Sequence, residues 1–145
     1  MVNSGTIRAE VAIYNVSEII NEAGGVIEGL VLLESADDMI VNDGRIVGRV
    51  LMDEGNDSFS GSGQVVGSVD MGWGDDSFAG AGFADIATGN RGNDELSGFG
   101  GNDLLLGGYG DDLIIGGSGN DGLFGEFGND RIVTQGGDYV DAGNG

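Results

Sequence analysis

The chain has 145 residues with 25 acidic and 5 basic side chains, a formal charge of −20, 32 glycines, and no proline, cysteine or histidine. The length suits one domain. The charge speaks against nucleic acid and against anionic membrane surfaces, which need a basic patch, and no apolar run is long enough for membrane insertion. Without Cys and His there is no disulfide framework, no thiolate or imidazole metal site and no Ser-His-Asp triad, so an enzyme is not expected. Hydrophobic residues make up 39% and are placed periodically, which separates the chain from a disordered acidic one.

In chain order, Met1–Asn15 has no basic segment followed by an apolar one and does not read as a secretory leader. Related segments then recur at Gly5–Ile13, Gly25–Leu33, Gly44–Met52 and Gly63–Met71. Each puts an apolar or small residue at every second position (Ile46, Gly48, Val50 and Met52 in one copy), the alternation of a strand with one face inward. Asp38, Asp57 and Asp76 follow at a nineteen-residue spacing, with Ile40, Phe59 and Phe78 two residues further on. Glu18-Ile19-Ile20 aligns with Asp38-Met39-Ile40 once a one-residue insertion near Gly24 is allowed. The pattern thus reaches nearly to residue 5, and no separate N-terminal domain is expected.

From Asp76 the spacing shortens to nine: Asp76, Asp85, Asp94, Asp103, Asp112, Asp121 and Asp130. Five consecutive blocks, GNRGNDELS, GFGGNDLLL, GGYGDDLII, GGSGNDGLF and GEFGNDRIV, run from Gly89 to Val133. Each combines a glycine turn, one fixed carboxylate and one aliphatic. A single such turn would mean little, because glycine and aspartate are common in turns; five in phase mark a repeat architecture.

These blocks resemble the nonapeptide G-G-x-G-x-D-x-U-x of the RTX (repeats-in-toxin) family. The nineteen-residue copies resemble the longer repeat of RTX adhesins at Gly55-Asn56-Asp57, Phe59, Gly63, Val65, Gly67, Val69 and Met71. The resemblance implies an all-β fold, a right-handed parallel β-roll or β-solenoid with short strands and glycine-rich calcium-binding turns. The whole of 1–145 is expected to form one solenoid: 1–79 as nineteen-residue coils with calcium turns on one edge, 80–145 as nonapeptide coils with calcium turns on both. Where an ice-binding adhesin carries a threonine row, this chain has Ser35, Glu54, Trp73, Arg91, Gly100, Tyr109, Ser118 and Phe127. The fold and the calcium sites are therefore carried over, not an ice-binding face. Trp73, Tyr109 and Phe127 are expected as scattered surface aromatics, with a sugar-stacking site as the alternative.

In such a roll two nine-residue half-turns make a coil, and residues eighteen apart stack about 4.8 Å from each other. One ladder then runs through Asp76, Asp94, Asp112 and Asp130, with Asp57 and Asp38 extending it at the nineteen-residue offset. The opposite edge carries Asp85, Asp103 and Asp121, with Asp138 a candidate for its end. Glu18 lacks the flanking glycines, and Asp138 comes eight residues after Asp130; neither is placed among the ligands. Stacked carboxylates repel and raise one another's pKa. Calcium removes that problem, taking about six to eight hard oxygen ligands at roughly 2.3–2.6 Å in flexible geometry. Two aspartates of adjacent coils plus turn carbonyls make such a cage. Several Ca2+ ions are expected, at Asp38, Asp57, Asp76, Asp85, Asp94, Asp103, Asp112, Asp121 and Asp130. Phe59, Phe78, Leu96, Leu105, Ile114, Leu123, Ile132 and Val140 follow the aspartates as core positions.

The family implies a calcium-binding structural module of a secreted, extracellular protein, exported by type I secretion and folding when it meets calcium. The alternative is an accessory module of an extracellular enzyme, of the alginate epimerase, lipase or protease type, with its catalytic domain outside this chain. The chain stops at Asp141-Ala-Gly-Asn-Gly145, inside a repeat, as expected of a module from a longer polypeptide. A polysaccharide or cell-surface partner remains open, and the open strand edges of a solenoid favour end-to-end self-association.

Overall fold

The computed structural model describes residues 1–14 and 16–145. The described residues form sixteen strands and no helix. Strands β1 (Val2–Asn3) and β2 (Thr6–Tyr14) open the first coil, followed by β3 (Glu18–Asn21) and β4 (Val26–Leu32), then β5 (Met39–Asn42) and β6 (Arg45–Leu51). Next come β7 (Ser58–Ser60) and β8 (Gln64–Trp73), β9 (Ser77–Ala79) and β10 (Ile86–Arg91), β11 (Glu95–Ser97) and β12 (Leu104–Tyr109). The last two coils hold β13 (Leu113–Ile115) with β14 (Gly122–Phe127), and β15 (Arg131–Val133) with β16 (Tyr139–Asp141). The odd-numbered strands form one eight-stranded parallel sheet and the even-numbered strands another. The fold is a parallel β-solenoid of eight coils.

Register follows the repeats. Offsets are nineteen between β4, β6 and β8 and eighteen from β8 through β14. Because the side-chain period of a strand is two, each apolar column stays inside. The first sheet contributes Ile19, Ile40, Phe59, Phe78, Leu96 and Ile114; the second contributes Val31, Val50, Val69, Ala87, Leu105 and Leu123, all buried. Phe59 and Phe78 stack with ring centroids 5.5 Å apart. The nineteen-residue coils bury more apolar surface: Ile40, Ile46, Val50 and Met52 all lie in one coil, whereas Leu96 and Leu105 are the buried aliphatics of a nonapeptide coil. Val140, expected in the core, is 42% exposed because β16 is an edge strand with no coil covering it. Ile132 is only partly buried.

The alignment of Glu18 with Asp38 is corrected by one residue. Glu18 pairs with Met39 and Ile19 with Ile40, an offset of twenty-one, while Tyr14 and Leu32 just before are eighteen apart. The turn into β5 absorbs the extra residues, and the slip exchanges the faces of β3. Ile19 and Asn21 therefore point inward and are fully buried. The corrected register stacks Asn3, Asn21 and Asn42, with Asn3 Nδ2 donating to Asn21 Oδ1 at 2.8 Å and Asn21 Nδ2 to Asn42 Oδ1 at 2.7 Å. This buried amide ladder occupies the edge opposite Asp38 and Asp57.

Replacing Asn21 by Leu leaves a buried donor on one side and a buried acceptor on the other, and each unsatisfied group costs about 1–3 kcal/mol. We expect Asn21→Leu to lower stability to denaturant by about 2–4 kcal/mol on that scale. A neutral result would mean that Asn21 faces solvent, as the twenty-residue alignment requires.

Candidate metal centre

The aspartates stand where a strand of one sheet gives way to a turn and the next strand of the other sheet begins. On the first edge, the backbone N–H of Asp38 donates to Asp57 Oδ1 at 2.8 Å, that of Asp57 to Asp76 at 2.7 Å, and that of Asp76 to Asp94 at 2.8 Å. The series continues from Asp94 to Asp112 at 2.8 Å and from Asp112 to Asp130 at 3.0 Å. On the opposite edge Asp85 donates to Asp103 and Asp103 to Asp121, each at 2.9 Å. Asp121 then donates to Asp138 at 3.1 Å across an offset of seventeen. Asp138, the candidate for the end of this edge, is thus a rung of the second ladder; the shorter turn is absorbed between β15 and β16. Glu18 lies on neither ladder.

All nine aspartates singled out from the sequence are brought into these two rows, buried except for the partly exposed Asp130. Each row spends one carboxylate oxygen on the backbone of the coil before. The other oxygen divides the set. Oδ2 is buried without a hydrogen-bond partner in Asp57, Asp76, Asp94, Asp103, Asp112, Asp121 and Asp130. In Asp85, Oδ2 accepts from the Ala81 N–H at 3.0 Å, and in Asp138 it accepts from the Gln135 N–H at 2.9 Å.

The space around an orphaned Oδ2 is built for something other than a side chain. A Cβ placed on Gly89 would collide with Asp94 Oδ2 and with the Gly107 carbonyl oxygen. Gly98 stands in the same relation to Asp103 and Gly116, and Gly125 to Asp130 and Ala142. A carboxylate oxygen and a carbonyl oxygen of the next coil converge there with no N–H between them. Two acceptors facing one another are favourable only if a cation or a proton lies between them. Among the described residues no three acidic side chains gather at one point, so main-chain carbonyls must supply most ligands. Hard oxygen donors of this mixed kind suit calcium; magnesium is smaller and holds its waters. The residues present fit the ion.

The turn backbone sorts the aspartates in the same way. Four residues before each orphaned aspartate the chain is left-handed: Asp53, Gly72, Asn90, Phe99, Gly108, Gly117 and Glu126 have φ between 66° and 119°. Two residues before each stands a glycine with positive φ, such as Gly92 at 135°. In the turn of Asp85 these positions hold Ala81 and Phe83, and before Asp38 they hold Glu34 and Ala36; none of the four has positive φ. Five residues before the aspartate the two halves differ: Met52 and Met71 are fully buried in the nineteen-residue coils, where the nonapeptide coils have glycine.

As free carboxyls, Asp76 and Asp94 are pushed up to about 7, and Asp57 and Asp103 to about 6. Burial is the leading cause; the N–H of the preceding coil pulls the other way, and neighbouring carboxylates add to the rise. Burial also raises Asp38, Asp85 and Asp112.

Stacking builds two further columns. The residue just before each aspartate forms an exposed row of opposite sense, in which the Asp75 N–H donates to Asn56 Oδ1 at 2.8 Å and the Asn93 N–H to Asp75 Oδ1 at 2.7 Å. Its signal is the Asn or Asp at that position, broken by Ala84 before Asp85 and Gly137 before Asp138. The exposed aromatics are not scattered: Trp73, Arg91, Tyr109 and Phe127 are consecutive rungs. The Arg91 guanidinium lies 4.7 Å over Trp73 and 6.0 Å from Tyr109, and Tyr109 stacks on Phe127 at 4.7 Å and 5°. Ring faces inside the column are taken up by the next rung, which disfavours a sugar-stacking platform.

Comparison with known families agrees with the geometry. Residues 72–98 and 97–132 match the model of the RTX calcium-binding nonapeptide repeat, in four copies. No curated protein and no solved structure matches the chain.

A carboxyl whose pKa is raised by folding binds its proton more tightly in the folded chain. With no metal, ionisation of Asp76 and Asp94 therefore opposes folding fully above about pH 7, and that penalty is relieved as pH falls towards the unfolded value near 3.8. In chelator we expect β-structure, followed by circular dichroism, to increase between roughly pH 8 and pH 5, and calcium affinity to weaken over the same interval as protons compete. Metal-free spectra that lose structure on acidification would contradict the assignment of buried, uncompensated carboxylates.

Proposed function

Residues 72–132 belong to the RTX calcium-binding nonapeptide repeat family, and from that premise we propose that this chain is a calcium-binding structural module of a secreted protein, folding when it meets extracellular calcium. The observation that carries the reading is the set of buried Oδ2 atoms with no partner, on which a main-chain carbonyl of the next coil converges at Asp94, Asp103, Asp112 and Asp130. The ladder aspartates with an unpartnered Oδ2 are the proposed carboxylate ligands and the turn carbonyls the remaining ones. Bound calcium supplies positive charge to these cages; the chain's own part is to bring the oxygens together and to keep water out with the apolar columns behind them.

The charge of −20 makes the switch. At the low calcium of a cytoplasm, stacked carboxylates repel and the thin core does not offset the entropy of ordering the coils. Outside, divalent ions neutralise the ladders, and metal binding becomes folding free energy. The nonapeptide half leans on the metal most, since each of its coils buries fewer apolar side chains than a nineteen-residue coil. A filled interior and ladders committed to metal leave no acid–base pair for catalysis, so the module is read as non-catalytic.

The test is a calcium titration followed by far-ultraviolet circular dichroism, with magnesium as control. We expect little β-structure in chelator at neutral pH and a cooperative transition driven by calcium and not by magnesium. A chain fully folded in chelator would return the aspartates to the role of turn residues.

A further inference from the structure

The sequence points to nine ligand aspartates, but the structure divides them, and hydrogen bonding and turn backbone draw the same line. Seven have a buried Oδ2 with no partner. The turns of the same seven, and of neither of the other two, have left-handed residues both four and two positions before the aspartate. A left-handed residue reverses the direction in which its peptide carbonyl points, so an alternating turn aims its oxygens at one volume. In the turn of Asp85, which lacks such residues, the Ala81 N–H stands in that place.

We infer that each of the seven orphaned aspartates holds one calcium ion, and that Asp38 and Asp85 hold none and instead close the starts of their ladders. The inference rests on the calcium reading above and narrows it. At Asp85 the cradle is present in outline, with the Gly98 carbonyl oxygen 3.1 Å from the Cβ position of Gly80. The Ala81 N–H has taken the oxygen that the ion would need, at 3.0 Å. Phe83, at the position of the second glycine, keeps the turn from inverting. Asp38 is preceded by Glu34 and Ala36 in the corresponding places; its role is to donate its N–H to Asp57 Oδ1. Asp138 ends the second ladder as Asp85 begins it, with Oδ2 satisfied by the Gln135 N–H. The first edge thus carries ions at Asp57, Asp76, Asp94, Asp112 and Asp130, and the second only at Asp103 and Asp121.

The count is measurable. After equilibrium dialysis against saturating calcium, with excess magnesium to displace loosely held ions, bound calcium per chain is read by elemental mass spectrometry. Circular dichroism of each sample reports folding. We expect about seven ions per chain, no loss in D38N or D85N, and a loss of at least one in D94N and in D103N. The double variant A81G/F83G should gain an ion, because it frees both turn positions to invert. A loss in D38N or D85N equal to that in D94N, or a double variant with an unchanged count, would overturn the assignment; so would any other non-zero count in the unmodified chain. No bound calcium at all would instead overturn the calcium reading itself.

Discussion

Successive coils stack in register, so every side chain meets its counterpart from the coil before at the spacing of neighbouring strands, about 4.8 Å. This constraint makes each column a test of whether a residue type tolerates itself. Aliphatics do, and Leu96, Leu105, Ile114 and Leu123 are fully buried. Asparagine does, because an amide has both donor and acceptor, and Asn3, Asn21 and Asn42 pass hydrogen bonds along their row. Aspartate does not. An ionised carboxylate only accepts, so the ladder needs donors from elsewhere. The backbone N–H of the neighbouring coil supplies one for Oδ1, and Oδ2 is left over.

That remainder is where fold and function join. A buried, unpartnered carboxylate oxygen opposes folding when ionised, and the raised pKa values of Asp76 and Asp94 express the same penalty as a preference for the proton. In the proposed function calcium reverses the sign by giving several oxygens a common partner. The dependence is uneven along the chain. In the nineteen-residue coils the fully buried Met52 and Met71 stand where the nonapeptide coils have glycine, and the opposite edge is held by amides. The nonapeptide half exchanges that apolar surface for a second row of carboxylates.

The same stacking logic governs the exterior. Arg91 fits between Trp73 and Tyr109 because a flat cation is attracted to ring faces on either side. Tyr109 and Phe127 stack in parallel at the distance the strands impose. The column reinforces register between coils, and its ring faces are turned along the solenoid and not out to solvent.

The architecture and most of the ladder are legible in the sequence, because a solenoid's long-range contacts are a fixed offset and an offset is visible as a period. Asp57, Asp76, Asp94, Asp112 and Asp130 could be stacked by counting alone, as could the inward columns from Ile40 to Ile114. Counting failed where the period broke. The shift of β3 against β5 depends on how a turn absorbs extra residues, and the place of Asp138 on a shortened coil; spacing shows that the period breaks there but not where the turns take up the difference. Which carboxylate oxygens are spent is visible only once the coils are stacked. Phe83, where Asp94 has Gly92, sets Asp85 apart in the sequence, but that one meets an N–H and the other a carbonyl is a matter of geometry. The difference lies in φ at two turn positions and in which peptide group the next coil brings to that point, and that is set by stacking.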